Sequence, residues 1–187
     1  PCPCRLIRPS SDQEDHHLRR WPGRREESDL HQSQTALAMD LRKDFPRSMK
    51  FKLAGYAHLA RMIDKCRAVL AGTEGEYIYP CPMDERLMEF AGITSDQFTA
   101  AVKANSTDGG VVTWLGKTAQ PHQPAELEEW NQQLLARGPS SPESAARFKQ
   151  YLAAIDPSRT DLTAWSDVQD LEEGRVVPRR EPAHQSQ

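Results

Sequence analysis

The chain alternates between stretches in which apolar residues recur every three or four positions and short breaks rich in Gly, Pro and capping residues. Tyr56, Leu59, Met62, Ile63, Cys66, Val69 and Leu70 share one arc of a helical wheel, with Arg61, Asp64, Lys65 and Ala68 opposite. That spacing predicts an amphipathic helix closed by Gly72. Pro82 to Ala91 reads as a second helix, with Pro first, Asp84 and Glu85 in its opening turn, and Gly92 at its end. Thr94-Ser95-Asp96-Gln97 supplies a capping box for a third, which carries Phe98, Ala101 and Val102.

Four more segments follow the same logic. Asp108 to Leu115 is the weakest, because Gly109 and Gly110 each cost a helix about 1 kcal/mol relative to Ala. Pro124 to Arg137 aligns Leu127, Trp130, Leu134 and Leu135 ahead of Gly138. Ser141-Pro142-Glu143 opens a helix with Phe148, Tyr151, Leu152 and Ile155, stopped by Asp156-Pro157. Asp161 to Glu173 carries Leu162, Trp165, Val168 and Leu171. Only Glu76-Tyr77-Ile78-Tyr79 alternates like a strand, and it is too short to build a sheet. The expectation is an all-α, compact orthogonal domain of six to seven helices with a short irregular or extended loop.

Residues 1–38 lack this patterning and balance six Arg against six acids, so they cannot bury enough apolar surface to offset their ordering entropy. They are expected to be a disordered tail or an upstream-translated extension, with Met39 as the biological start. Residues 178–187 read as a second disordered tail, leaving 39–177 as a single helical domain long enough to need no metal or disulfide staple.

Charge and cysteine usage narrow the function. A net charge of -3 argues against a dedicated nucleic-acid binder. The longest apolar run, Tyr151 to Ile155, is about a quarter of the ~20 residues that cross a bilayer, so a soluble chain is expected. Cys2, Cys4, Cys66 and Cys81 form no zinc spacing, and with no secretory pattern at the start the expected compartment is a reducing cytoplasm. Neither a metal nor a cofactor is expected.

Few motifs carry chemistry. Gly116-Lys117-Thr118 lacks the upstream glycine at the spacing a phosphate-binding loop requires. Cys81 stands at a helix start, where unpaired amides favour a thiolate, but Asp84 and Glu85 oppose a second negative charge. A capping or packing thiol is the preferred reading there; Cys66, on the apolar stripe, reads as a core residue. Tyr77 and Tyr79 could line a pocket with Glu76, although loop anchors with solvated hydroxyls are the simpler account. Arg61, Asp64, Lys65 and Arg67 fit a solvated helix face, or an anion- or partner-binding surface. The basic arm Arg42, Lys43, Arg47, Lys50 and Lys52 is expected to lie across the acidic helical body. His58 and His122 show no partner in a triad order and receive no catalytic role.

Several strings taken in order resemble a known family: Asp40-Leu41-Arg42-Lys43, Pro46-Arg47-Ser48, Gly55-Tyr56-Ala57-His58-Leu59, Arg61-Met62-Ile63-Asp64-Lys65, Leu70-Ala71-Gly72, Gly75-Glu76-Tyr77 and Cys81-Pro82-Met83-Asp84. Trp114, Trp130-Asn131, Asp161-Leu162 and Trp165-Ser166-Asp167 extend the likeness, so that residues 40–173 are similar to the bacterial domain of unknown function family 5069. The resemblance implies a small, mainly helical bacterial protein and brings no established activity. Gly109-Gly110 and the long N-terminal segment depart from that family's pattern.

Two functions are compatible with these residues. The preferred one is a non-enzymatic binding or interaction module for a small anion or a protein partner, using Arg61, Lys65, Arg67, Tyr77 and Tyr79. The alternative is a thiol-dependent enzyme or redox sensor built on Cys81, with Asp84 or Glu76 as proton acceptor.

Overall fold

A computed structural model describes residues 39–180 of the chain. Seven helices succeed one another among them: α1 (Leu59–Ala71), α2 (Pro82–Ala91), α3 (Ser95–Ala104), α4 (Asp108–Thr118), α5 (Pro124–Leu135), α6 (Pro142–Ile155) and α7 (Trp165–Glu172). The described residues contain no β-sheet; the segment at Glu76–Tyr79 forms no strand, and Leu53 and Tyr56 pair through an isolated bridge. The fold is all-α, as the periodicity requires. The expected leader at 1–38 lies outside the described residues.

The terminating signals act where the sequence puts them. Gly72 and Gly92 adopt φ of 67° and 66°, the left-handed conformation that closes α1 and α2 without a Cβ penalty. Thr94 accepts a hydrogen bond from the Gln97 amide while the Gln97 side chain returns to the Thr94 amide. α4 forms despite Gly109 and Gly110, because Thr107 caps it by accepting from the Gly110 amide and Val111 and Leu115 are buried in the core.

Two helix starts move inward, and α5 ends at Leu135 rather than Arg137. α1 starts at Leu59 rather than Tyr56, since Tyr56 pairs its backbone with Leu53 and His58 takes a left-handed φ of 67°. α7 starts at Trp165 rather than Asp161, because Asp161 receives the Arg159 guanidinium and Leu162 closes a turn onto the Arg159 carbonyl. Of the segment expected as a C-terminal tail, Arg179 reaches Ser158 and Arg180 reaches Thr163 and Asp167, and residues 181–187 lie outside the described residues.

Apolar packing divides into two main clusters. One gathers Leu59, Met62, Ile63, Cys66, Leu87 and Phe98 with their neighbours from α1 to α4; the other gathers Phe148, Tyr151, Leu152, Trp165 and Val168 from α6 and α7. Each fully buried Leu, Ile or Phe contributes about 1.5–3 kcal/mol. Charged residues run between the clusters. Lys50 bridges Asp167 and Asp170, and Ser48 donates to Asp170, so the basic arm does lie across acidic helix residues. No helix among the described residues is long and apolar enough to cross a membrane.

Candidate functional site

The polar side of α1 is buried. Arg61 and Lys65 are 1% and 0% exposed, whereas Val69 and Leu70, expected on the packed arc, are 39% and 44% exposed. The solvated-face reading of Arg61, Asp64 and Lys65 is therefore corrected: other elements cover that face, and burial of three charged positions demands partners. A wheel drawn on one helix ranks its faces by polarity and is blind to elements that arrive from elsewhere.

Those partners form three groups. In the first, Lys65 Nζ donates to Asp84 Oδ2 at 2.6 Å, to Cys81 Sγ at 3.1 Å and to the Ile78 carbonyl at 3.2 Å. His58 Nε2 donates to Asp84 Oδ1 at 2.8 Å, and the Cys81 amide donates to Asp84 Oδ2 at 2.8 Å. Cys81 and Asp84 thereby form the capping box of α2. All four side chains are fully buried. Burial alone would raise the Asp84 carboxyl, but Lys65 and His58 outweigh it and hold the group well below its usual range. His58 thus has the carboxylate partner that its sequence neighbourhood did not show, brought by the left-handed turn before α1. With Nε2 donating, its Nδ1 is buried without a partner among the described residues.

The second group is centred on Glu173. Arg61 grips it with two bonds, of 2.9 and 2.6 Å; the Tyr77 hydroxyl donates to it at 2.9 Å, and Arg175 pairs with it. Arg61 also lies 5.5 Å from the Tyr77 ring centroid, within cation–π range. Burial pushes Glu173 upward, yet Arg61 and Arg175 hold it below its ordinary value. In the third group, Arg47 reaches Asp64 at 2.7 Å and Asp108 at 2.6 Å, and Arg67 reaches Asp108 at 2.7 Å.

The residues singled out in the sequence are thus distributed over different groups. Arg61 and Tyr77 meet at Glu173, Lys65 meets Cys81 and Asp84, and Arg67 stands with Asp108. Tyr79 bonds Thr99 at 3.1 Å, so neither tyrosine hydroxyl is an anchor left to solvent. Burial raises the Tyr79 phenol well above its usual value. Glu76 belongs to none of the three groups described. His58, Cys81 and Asp84 offer donor atoms within 4.8 Å of one another, a set whose chemistry would suit a divalent transition metal. The Lys65 ammonium already supplies the cation at that position.

A different part of α2 opens to solvent. Arg86, Glu89 and Phe90 on α2 face Trp130, Gln133, Leu134 and Arg137 from α5 and its end across a cleft of about 280 Å³. Phe90 is sandwiched between His122 and Trp130, with centroid separations of 3.8 and 4.5 Å and interplanar angles of 11°. His122 Nε2 donates to the Phe90 carbonyl at 2.8 Å, which fixes that stack. Neither Arg86 nor Arg137 enters an ion pair among the described residues.

The chain belongs to the family described as Domain of unknown function (DUF5069). Its match spans residues 43–175, and so contains every member of the three buried groups as well as the cleft. The search for similar curated proteins found no match. The sequence pointed to this DUF5069 domain, and its candidate residues Arg61, Lys65 and Tyr77 lie in the buried groups rather than at the cleft. A signal for the cleft was present all the same: Arg86, Glu89 and Phe90 lie at i, i+3 and i+4, and Trp130, Gln133, Leu134 and Arg137 at i, i+3, i+4 and i+7, each set facing one way on its helix.

Proposed function

We propose that this DUF5069 domain is a binding module, and that the cleft between α2 and α5 seats a small ligand carrying a planar ring and an anionic group. One observation carries the reading. In a domain where Arg47, Arg61, Arg67, Arg159 and Arg175 are each matched to carboxylates, two guanidiniums without such a match border one cleft beside a stacked aromatic wall. A guanidinium offers a planar fork to a carboxylate or phosphate, and a flat ring completes the Phe90–Trp130 surface. Glu89 adds one negative charge to the lining and disfavours ligands without an acidic group.

The cations of α1 give this reading no support, since each is already paired with a carboxylate inside the fold. The test is a thermal-shift and calorimetric screen of aromatic carboxylates and nucleoside monophosphates. A compound that fits should stabilise the domain by about 2.7 kcal/mol at 100 times its dissociation constant. Arg137→Ala should weaken it about tenfold or more, the worth of a charged hydrogen bond. Absence of stabilisation by every probe, or affinity indifferent to both Arg86→Ala and Arg137→Ala, would sink the proposal.

A further inference from the structure

Lys65 and Cys81 are placed for a reaction that the cleft does not involve. Their reactive atoms lie 3.1 Å apart, both side chains are fully buried, and the Lys65 Nζ also touches Asp84 Oδ2, whose other oxygen holds His58 Nε2. A nitrogen nucleophile, a sulfur and a carboxylate in contact with the ammonium are thus lined up in one enclosed space. Burial keeps bulky substrates away from the sulfur but leaves it open to an oxidant as small as hydrogen peroxide, admitted by local opening of the loop before α2.

We propose that Lys65 and Cys81 form an oxidation-dependent, reversible nitrogen–sulfur cross-link. In the first step the Cys81 sulfur attacks hydrogen peroxide: an S–O bond forms, the O–O bond breaks, the thiol proton leaves with the departing oxygen as water, and sulfur is oxidised by two electrons while peroxide is reduced. The Lys65 ammonium then passes a proton to Asp84 Oδ2, which it touches. Its free amine attacks the sulfenic sulfur, the S–N bond forms as the S–O bond breaks, and hydroxide leaves as a second water on taking up the proton held at Asp84. The amine nitrogen then loses its surplus proton to Asp84 and on to solvent. Overall, one amine, one thiol and one peroxide give one sulfenamide and two waters.

The neighbours explain why capture should outrun further oxidation. The amine already sits at contact distance, so ring closure is intramolecular, whereas a second peroxide must enter a fully buried site. Cys66 provides an internal control. It is also buried, its thiol is pushed up by that burial, and its hydrogen-bonding neighbours are Tyr79 and Thr99 rather than an amine. The link would fasten the middle of α1 to the first residue of the α2 cap, converting an ion-pair contact into a covalent one. A thiol reductant would reverse it by attack on the sulfur.

The full-length protein is treated with hydrogen peroxide, digested without reductant and analysed by mass spectrometry. The Cys66→Ala form is run in parallel, because a Cys66–Cys81 disulfide would show the same mass deficit. The expected result in both proteins is a peptide pair joined at Lys65 and Cys81, lighter than the sum of the two peptides by about 2 Da and abolished by dithiothreitol. Lys65→Arg keeps the positive charge but cannot capture the sulfur, and should let Cys81 advance to sulfinic acid instead. The wild-type digest is decisive even if that variant folds poorly. Cys81 recovered unmodified, or as sulfenic or sulfinic acid with Lys65 free in the folded wild-type protein, overturns the proposal.

Discussion

Lys65 and Arg137 are both helix-borne or helix-flanking cations, and the fold treats them in opposite ways. Lys65 has no exposure and gives its three N–H bonds to Asp84, Cys81 and Ile78. Arg137 is half-buried beside an open cleft and meets no carboxylate among the described residues. The closed cluster has so much desolvation to offset that every member needs its partner, and removing one strands the others. At the cleft no carboxylate among the described residues meets Arg86 or Arg137, and both border open space. Buried matched charge is thus committed to internal partners, while the unmatched charge beside an aromatic wall is what the proposed binding reading rests on.

Acid should break the closed side most broadly. The carboxyls of Asp84, Glu173 and Asp108 are held below ordinary values of 3.8, 4.5 and 3.8, burial being outweighed in each case by neighbouring cations. The unfolded chain then takes up protons before the folded one does. Stability is fully present above those ordinary values and is lost progressively as pH falls through them toward the lower folded values. Denaturant midpoints recorded from about pH 6 down to about pH 3 should fall steeply below about pH 4.5. A flat profile would mean that these carboxylates are not ion-paired in solution.

Single substitutions come next. Asp84→Ala removes the acceptor for Lys65, His58 and the Cys81 amide at once, leaving a buried ammonium uncompensated. A loss of about 3–5 kcal/mol in chemical unfolding is expected. Glu173→Ala should cost slightly less, about 3 kcal/mol, because Arg175 is partly exposed and can return to water whereas Arg61 cannot. At the bottom of the scale, Arg86→Ala and Arg137→Ala should each change unfolding free energy by no more than about 0.5 kcal/mol while still weakening ligand binding. A large stability loss there would show the cleft arginines to be structural and erase the contrast.

The contrast also explains what could be read in advance. All seven helices were legible, with their caps at Gly72, Gly92, Thr94 and Ser141, because periodicity and capping involve residues no more than a few positions apart. Cys81 was noticed for its place at the start of α2, which is also a local property. His58 was passed over because its carboxylate lies 26 residues away, and the Lys65–Asp84 contact spans 19. The cleft was missed for the same reason, since neither α2 nor α5 shows an open site until the two are set side by side.

Composition and spacing alone determined an all-α chain and its helix order, both of which follow from short-range hydrogen bonding and the burial of one stripe per helix. Which stripe is buried was left to packing. Arg61 finds Glu173 across 112 residues and Arg47 finds Asp108 across 61, and these pairings turn a nominally polar face inward while leaving Val69 and Leu70 in solvent. A charge can enter the interior only when its counter-charge arrives with it. That meeting depends on the paths of the loops and on every helix between, so it was decided by the tertiary structure.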